Sequence, residues 1–143
     1  MLLPSLQPRL ALLVVLLAAL LSDIASPLST SFNAMPEIGA TGVSFTHVAR
    51  EWRCKWTDEA VLKRLQGVLD AQLSAIKAVG GQVSVQRTVC GECNDFKVIT
   101  KLTEPEYGAW SGADHAPEAA FLAALTAAGG TQVETQTVTF ETL

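Results

Sequence analysis

Few side chains in this sequence could do chemistry. It holds two histidines, His47 and His115, one tyrosine, Tyr107, and three cysteines, Cys54, Cys90 and Cys93. Imidazole titrates near neutrality, so a histidine beside a phenol and a carboxylate is a general acid/base set. Cys90-Gly91-Glu92-Cys93 is a Cys-x-x-Cys run, which can be a disulfide, a redox pair when one thiolate is stabilised, or half of a zinc site. Which of these chemistries is available depends on the elements that position the side chains.

Those elements are legible from periodicity. Val83–Leu102 alternates apolar and polar residues on both sides of Gly91-Glu92-Cys93-Asn94-Asp95, the pattern of a β-hairpin with a tight turn. Phe45–Trp56 alternates Val48, Arg50, Trp52, Cys54 and Trp56 against Glu51, Arg53 and Lys55, and is predicted to be a strand. From Thr57, expected as N-cap, apolar residues at helical spacing predict an amphipathic helix to Val79, ended by a left-handed cap at Gly80-Gly81. A looser segment, Thr103–Ala116, leads to a second helix with Pro117 in its first turn and Asp114 as its candidate N-cap. Gly129-Gly130 stops that helix, and Val133–Phe140 is the last strand.

The N-terminal region reads differently. Arg9 followed by the apolar run Leu10–Leu21 is too short for a membrane span, and residues 1–26 are expected to be a secretory signal peptide. Residues 27–44 have the Ser/Pro/Thr/Gly composition of a linker or targeting remnant. Within them Ser29-Thr30-Ser31-Phe32 resembles the small-residues-then-Phe junction of bipartite plastid presequences. The folded domain is thus expected over residues 45–143, in the secretory route or onward in a plastid, and clear of the membrane once the leader is removed.

The order βαββαβ predicts a ferredoxin-like α+β plait: a four-stranded antiparallel sheet with two helices on one face. Its connections bring the start of strand one, the end of strand three and the start of the last helix to one pole. That pole would collect His47, Glu106, Tyr107, Asp114 and His115, either as a shared polar ligand pocket or as ordinary strand-end and helix-entry residues. Trp110, expected in the adjoining loop, is a further pocket residue. At the other pole Cys54 would approach Cys90 and Cys93. A disulfide suits a secreted chain, with free thiols or a metal or redox site as the alternatives. Trp52 and Trp56 are expected to be core against the first helix.

Several residues also resemble a known family. His47-Val48, Trp52-Arg53-Cys54-Lys55-Trp56 before an acidic helix start, Ile76-Lys77-Ala78-Val79-Gly80, Asp95-Phe96 and His115-Ala116-Pro117-Glu118-Ala119-Ala120-Phe121 resemble the stress-responsive dimeric α/β-barrel proteins. The resemblance implies two plaits packed sheet to sheet as a homodimer. It also implies a small organic ligand, with cofactor-independent acid/base chemistry of cyclase or lyase type by His47, Tyr107 and His115. An inserted Trp110-Ser111-Gly112-Ala113-Asp114 stands where that family carries a further histidine.

Other classes are disfavoured. There is no phosphate-cradling glycine loop, nucleophile elbow, paired-histidine zinc motif or repeat array. A net charge of −4 with 17% charged residues offers no basic face for nucleic acid. The expectation is a small-molecule-binding domain needing no cofactor or resident metal. The alternatives are a structural or interaction module with a cysteine disulfide, or a cysteine-based metal or redox site.

Overall fold

The computed structural model describes residues 35–143. The expected signal peptide at 1–26 and residues 27–34 of the expected linker lie outside the described residues. Residues 35–44 form a short turn with one bridge between Glu37 and Ser44. No helix among the described residues is long and apolar enough to cross a membrane.

The elements are β1 (His47–Lys55), α1 (Glu59–Lys77), β2 (Ser84–Cys90), β3 (Asp95–Thr103), α2 (Glu104–Ser111), α3 (Glu118–Ala127) and β4 (Thr131–Phe140). The sheet runs β2-β3-β1-β4, with every neighbouring pair antiparallel. This is the ferredoxin-like plait expected from the order of elements, with one more helix.

Side-chain parity in β1 decides what faces what. Trp52 lies opposite Val98 and Cys54 opposite Phe96 in the β1–β3 register. All four are buried with Val61, Leu65, Leu69 and Ile76 of α1 and Phe121 and Leu125 of α3. The alternate residues point to the other, open face. There Arg53 pairs with Glu134, Lys55 with Asp95 at 2.7 Å and Lys97 with Glu51 at 3.5 Å. Trp52 is core as expected, in one cluster with Val61, Leu65 and Leu69 of α1, and its ring also packs on Phe121 and Trp110.

Local chemistry explains where the boundaries differ from expectation. Asp58, not Thr57, caps α1: it is extended at φ −154° and its carboxylate accepts the Val61 N–H at 2.8 Å. The cap at the other end is Ala78 in a right-handed conformation, so Gly80 and Gly81 are not a left-handed stop. Gly80 is glycine for room, because a Cβ there would collide with the buried Leu102 side chain. The looser segment contains a helix, α2, with Thr103 as its N-cap residue and a proline in the first turn.

The Gly129-Gly130 stop is a Schellman turn. Gly129 has φ +98°, its N–H bonds Thr126 O at 3.0 Å and the Gly130 N–H bonds Leu125 O at 2.9 Å. A Cβ at Gly130 would press on Cys54 Sγ. β4 then starts at Thr131, two residues earlier than expected, through a register shift against Arg53–Lys55 and a left-handed Gln132.

Candidate functional site

The helix-side face of β1 carries one residue that does not belong in an apolar row. Arg50 sits in phase with Val48, Trp52 and Cys54, and its guanidinium reaches α3, where Nε and Nη2 donate to the two carboxylate oxygens of Glu118 at 2.7 and 2.9 Å. Trp52 Nε1 donates to the same carboxylate at 2.6 Å. Arg50 also donates to Thr135 and Thr137 of β4, both at 3.0 Å. Fork-to-fork geometry of this kind fixes orientation as well as charge.

Tyr107 of α2 extends the network. Its hydroxyl lies 2.9 Å from Thr137 Oγ1 and 3.0 Å from His115 Nε2. In one arrangement each hydroxyl both gives and accepts: Arg50 donates to Thr137, Thr137 to Tyr107, and Tyr107 to a neutral His115. Hydrogen bonds aligned in one direction reinforce one another. Tyr107 and His115 are half-buried, so the chain of donors ends at side chains partly open to solvent.

The turn before α3 holds the imidazole in place. Asp114 and His115 both have left-handed backbone, φ +53° and +54°, which is costly for residues other than glycine. Trp110 O accepts the His115 N–H at 3.1 Å, His115 O accepts the Glu118 N–H at 2.9 Å, and the Ala116–Pro117 bond is cis. The Trp110 ring meets the His115 ring edge to face at 5.0 Å. Asp114 is exposed and is not the N-cap of α3, a position taken by Pro117.

The charges follow from these contacts. The bond to Glu118 raises the Arg50 pKa, although burial opposes it. Burial pushes the Glu118 carboxyl up, but the bonds from Arg50 and Trp52 outweigh it and hold the carboxyl below its usual range. Burial, followed by the Arg50 charge, lowers His115 below 6.5, so the ring is neutral at pH 7. The linkage follows from that order. The unfolded chain takes up a proton near 6.5 and the folded chain only at lower pH, so stability is full above 6.5 and is lost as pH falls through the folded value. Urea midpoints should therefore drop between pH 7.5 and 5.5 more steeply in the parent than in His115→Gln. Equal slopes would show that His115 titrates as a solvated ring.

The remaining expected residues separate into distinct places. His47 does not join Tyr107 and His115: it has the opposite parity to Arg50, lies across from Thr103 and Phe140, and its Nδ1 is 2.9 Å from Thr46 Oγ1. The pole argument located it along the strand but not by face. Glu106 is occupied elsewhere, bonding Thr103 Oγ1 at 2.8 Å and the Gly81 and Gln82 N–H groups at 2.9 and 3.2 Å. Trp110 is not in a loop; it is on α2, 5% exposed, with Nε1 donating to Ala116 O at 2.7 Å. It backs the site as core.

The cysteines do not converge either. Cys90 and Cys93 form a disulfide, with Cα atoms 5.5 Å apart. Cys54 is free and buried on the helix side, where burial pushes its thiol up to about 11. Among the described residues no group of three His, Cys, Asp or Glu side chains is placed to hold a metal. Arg50 and Glu118 are the site residues that the sequence reading missed. Their visible signal was a cation in an otherwise apolar row of β1.

The strand order and the helix-covered face define the chain as a ferredoxin-like α+β domain. No family model and no curated protein matches it. A solved structure with a similar arrangement is a monooxygenase from the gene ActVA-Orf6 of Streptomyces coelicolor in complex with nanaomycin D. It is 17% identical with a TM-score of 0.48, over 69% of this chain and 90% of that one.

Proposed function

We propose that this domain, of the dimeric α/β-barrel type, binds a small organic molecule with an acidic hydroxyl or an enolisable carbonyl against Tyr107 and His115, and moves a proton there without a cofactor. The observation that carries this reading is the 3.0 Å contact between the Tyr107 hydroxyl and His115 Nε2. A neutral imidazole accepts the phenolic proton, the Arg50 cation favours the phenolate so formed, and the phenolate then takes a proton from the ligand. We further propose a homodimer through the open sheet face, working in the secretory route, where the Cys90–Cys93 disulfide can form.

One observation favours a second reading. Arg50, Glu118, Thr137, Tyr107 and His115 Nε2 all find partners within the chain, as in a purely structural bracket. Quenching of tryptophan fluorescence by 4-nitrophenol and 1,3-dihydroxynaphthalene separates the two, since the Trp110 ring is 5.8 Å from Tyr107. The binding reading expects saturable quenching that weakens about tenfold in Tyr107→Phe and in His115→Gln, equivalent to one hydrogen bond of about 1.4 kcal/mol. Identical quenching in parent and variants, with only urea midpoints shifted, would leave the bracket.

A further inference from the structure

We propose that Cys90–Cys93 is a reversible dithiol–disulfide exchange site whose co-substrate is an external dithiol. The proposal does not rest on the Tyr107–His115 reading.

A disulfide stabilises mainly by closing a loop in the unfolded chain, and the gain grows with the length of the loop. This one spans a sequence separation of 3, so it does little of that work. The hairpin around it is tied independently. Cys90 is already in register with Asp95, the Trp56 N–H bonds Asn94 O at 3.0 Å, and Lys55 Nζ bonds Cys93 O and Asp95 at 2.7 Å each. Opening the bond therefore leaves the turn standing.

The two sulfurs are also unequal. Cys93 is exposed at the tip, whereas Cys90 is half-buried at the end of β2. Cys90 Sγ accepts the Cys93 N–H at 3.0 Å. An incoming thiolate reaches Cys93, and a backbone donor already faces the sulfur that must leave with the negative charge. The thiolate attacks Cys93 Sγ, the S–S bond breaks, and Cys90 departs as a thiolate that takes a proton from water. The second thiolate of the donor then attacks its own sulfur in the mixed disulfide. Cys93 is released as a thiolate and is protonated in turn. Two electrons and two protons enter the protein, and the donor becomes a disulfide. Cys54 cannot intercept the exchange, because it is buried and has the opposite parity from Lys55, the neighbour of this hairpin.

The test uses the full chain without denaturant, held in graded ratios of reduced to oxidised dithiothreitol, quenched by alkylation and weighed. A parallel series uses a dithiol protein of the thioredoxin type. The expected result is a two-electron transition adding alkyl groups at Cys90 and Cys93 and none at Cys54, with near-ultraviolet circular dichroism unchanged. Reduction by both donors, or by dithiothreitol alone, supports the exchange, the latter assigning it to small dithiols. Reduction by neither, or reduction only together with loss of the tertiary signal, overturns it. The order of attack has its own check. Cys90→Ser, which keeps Cys93, should form a mixed disulfide with oxidised glutathione at least tenfold faster than Cys93→Ser. Equal or reversed rates would overturn the assignment of Cys93 as the attacked sulfur.

Discussion

Glu118→Ala is expected to lower the unfolding free energy by about 3 kcal/mol, the lower end for removing one partner of a buried ion pair. The Arg50 and Glu118 side chains are 17% and 15% exposed, so most of the water that would screen the orphaned guanidinium is absent. The loss is larger than for the pair alone, because the same carboxylate accepts from Trp52 Nε1, which would be left buried without an acceptor. Glu118→Gln keeps one acceptor oxygen and should cost about half as much. Urea denaturation of both variants at pH 7.5 measures this. A change in the alanine variant below about 0.5 kcal/mol would class the pair with exposed surface ion pairs.

Trp52→Ala carries the largest expected loss, about 4 kcal/mol, within the range for removing a buried aromatic side chain. Trp52 is fully buried, with its ring 5.0 Å from Phe121 and 5.9 Å from Trp110, so the space it leaves is walled by rings that cannot collapse far. Because Trp52 also bonds Glu118, the two alanine substitutions share a partner and their costs should not add. A double variant that costs less than the sum by more than about 0.5 kcal/mol measures that coupling. Strict additivity would mean that the indole N–H contributes nothing to holding the carboxylate.

What could be read in advance depended on how local the signal was. The buried stripe Val61, Leu65, Leu69 and Ile76 repeats along one helix, and the alternation in β1 and β3 repeats along one strand, so α1 and the sheet were visible without partners. The helix α2 was not, since Glu104–Ser111 places only Tyr107 and Trp110 as large apolar residues and carries Gly108 between them. Its Thr103 and its first-turn proline were the signal that remained. Tyr107 and His115 were brought together correctly because eight residues separate them. Arg50 and Glu118 lie 68 residues apart, and nothing local announces that a strand cation has a helix carboxylate waiting. His47 failed for a different reason: placement along a strand says nothing about face, whereas the pleat parity of Arg50 and Trp52 would have put it on the open side.

The separations in the Arg50 network bear on how the domain comes together. Arg50 to Glu118, Trp52 to Glu118 and Arg50 to Thr137 span 68, 66 and 87 residues, and Tyr107 to Thr137 spans 30. Contacts that close loops of that length are late events in folding, made only after nearer ones have reduced the entropy still to be lost. β4 joins the sheet beside β1, so the last strand of the plait completes the set of partners around its first. A chain with α1 and the hairpin formed, but with β4 unpaired, keeps the local Tyr107–His115 contact and lacks Thr135 and Thr137 as partners for Arg50 and Tyr107. The link from Arg50 through Thr137 to Tyr107 is thereby completed only when the last strand of the plait pairs.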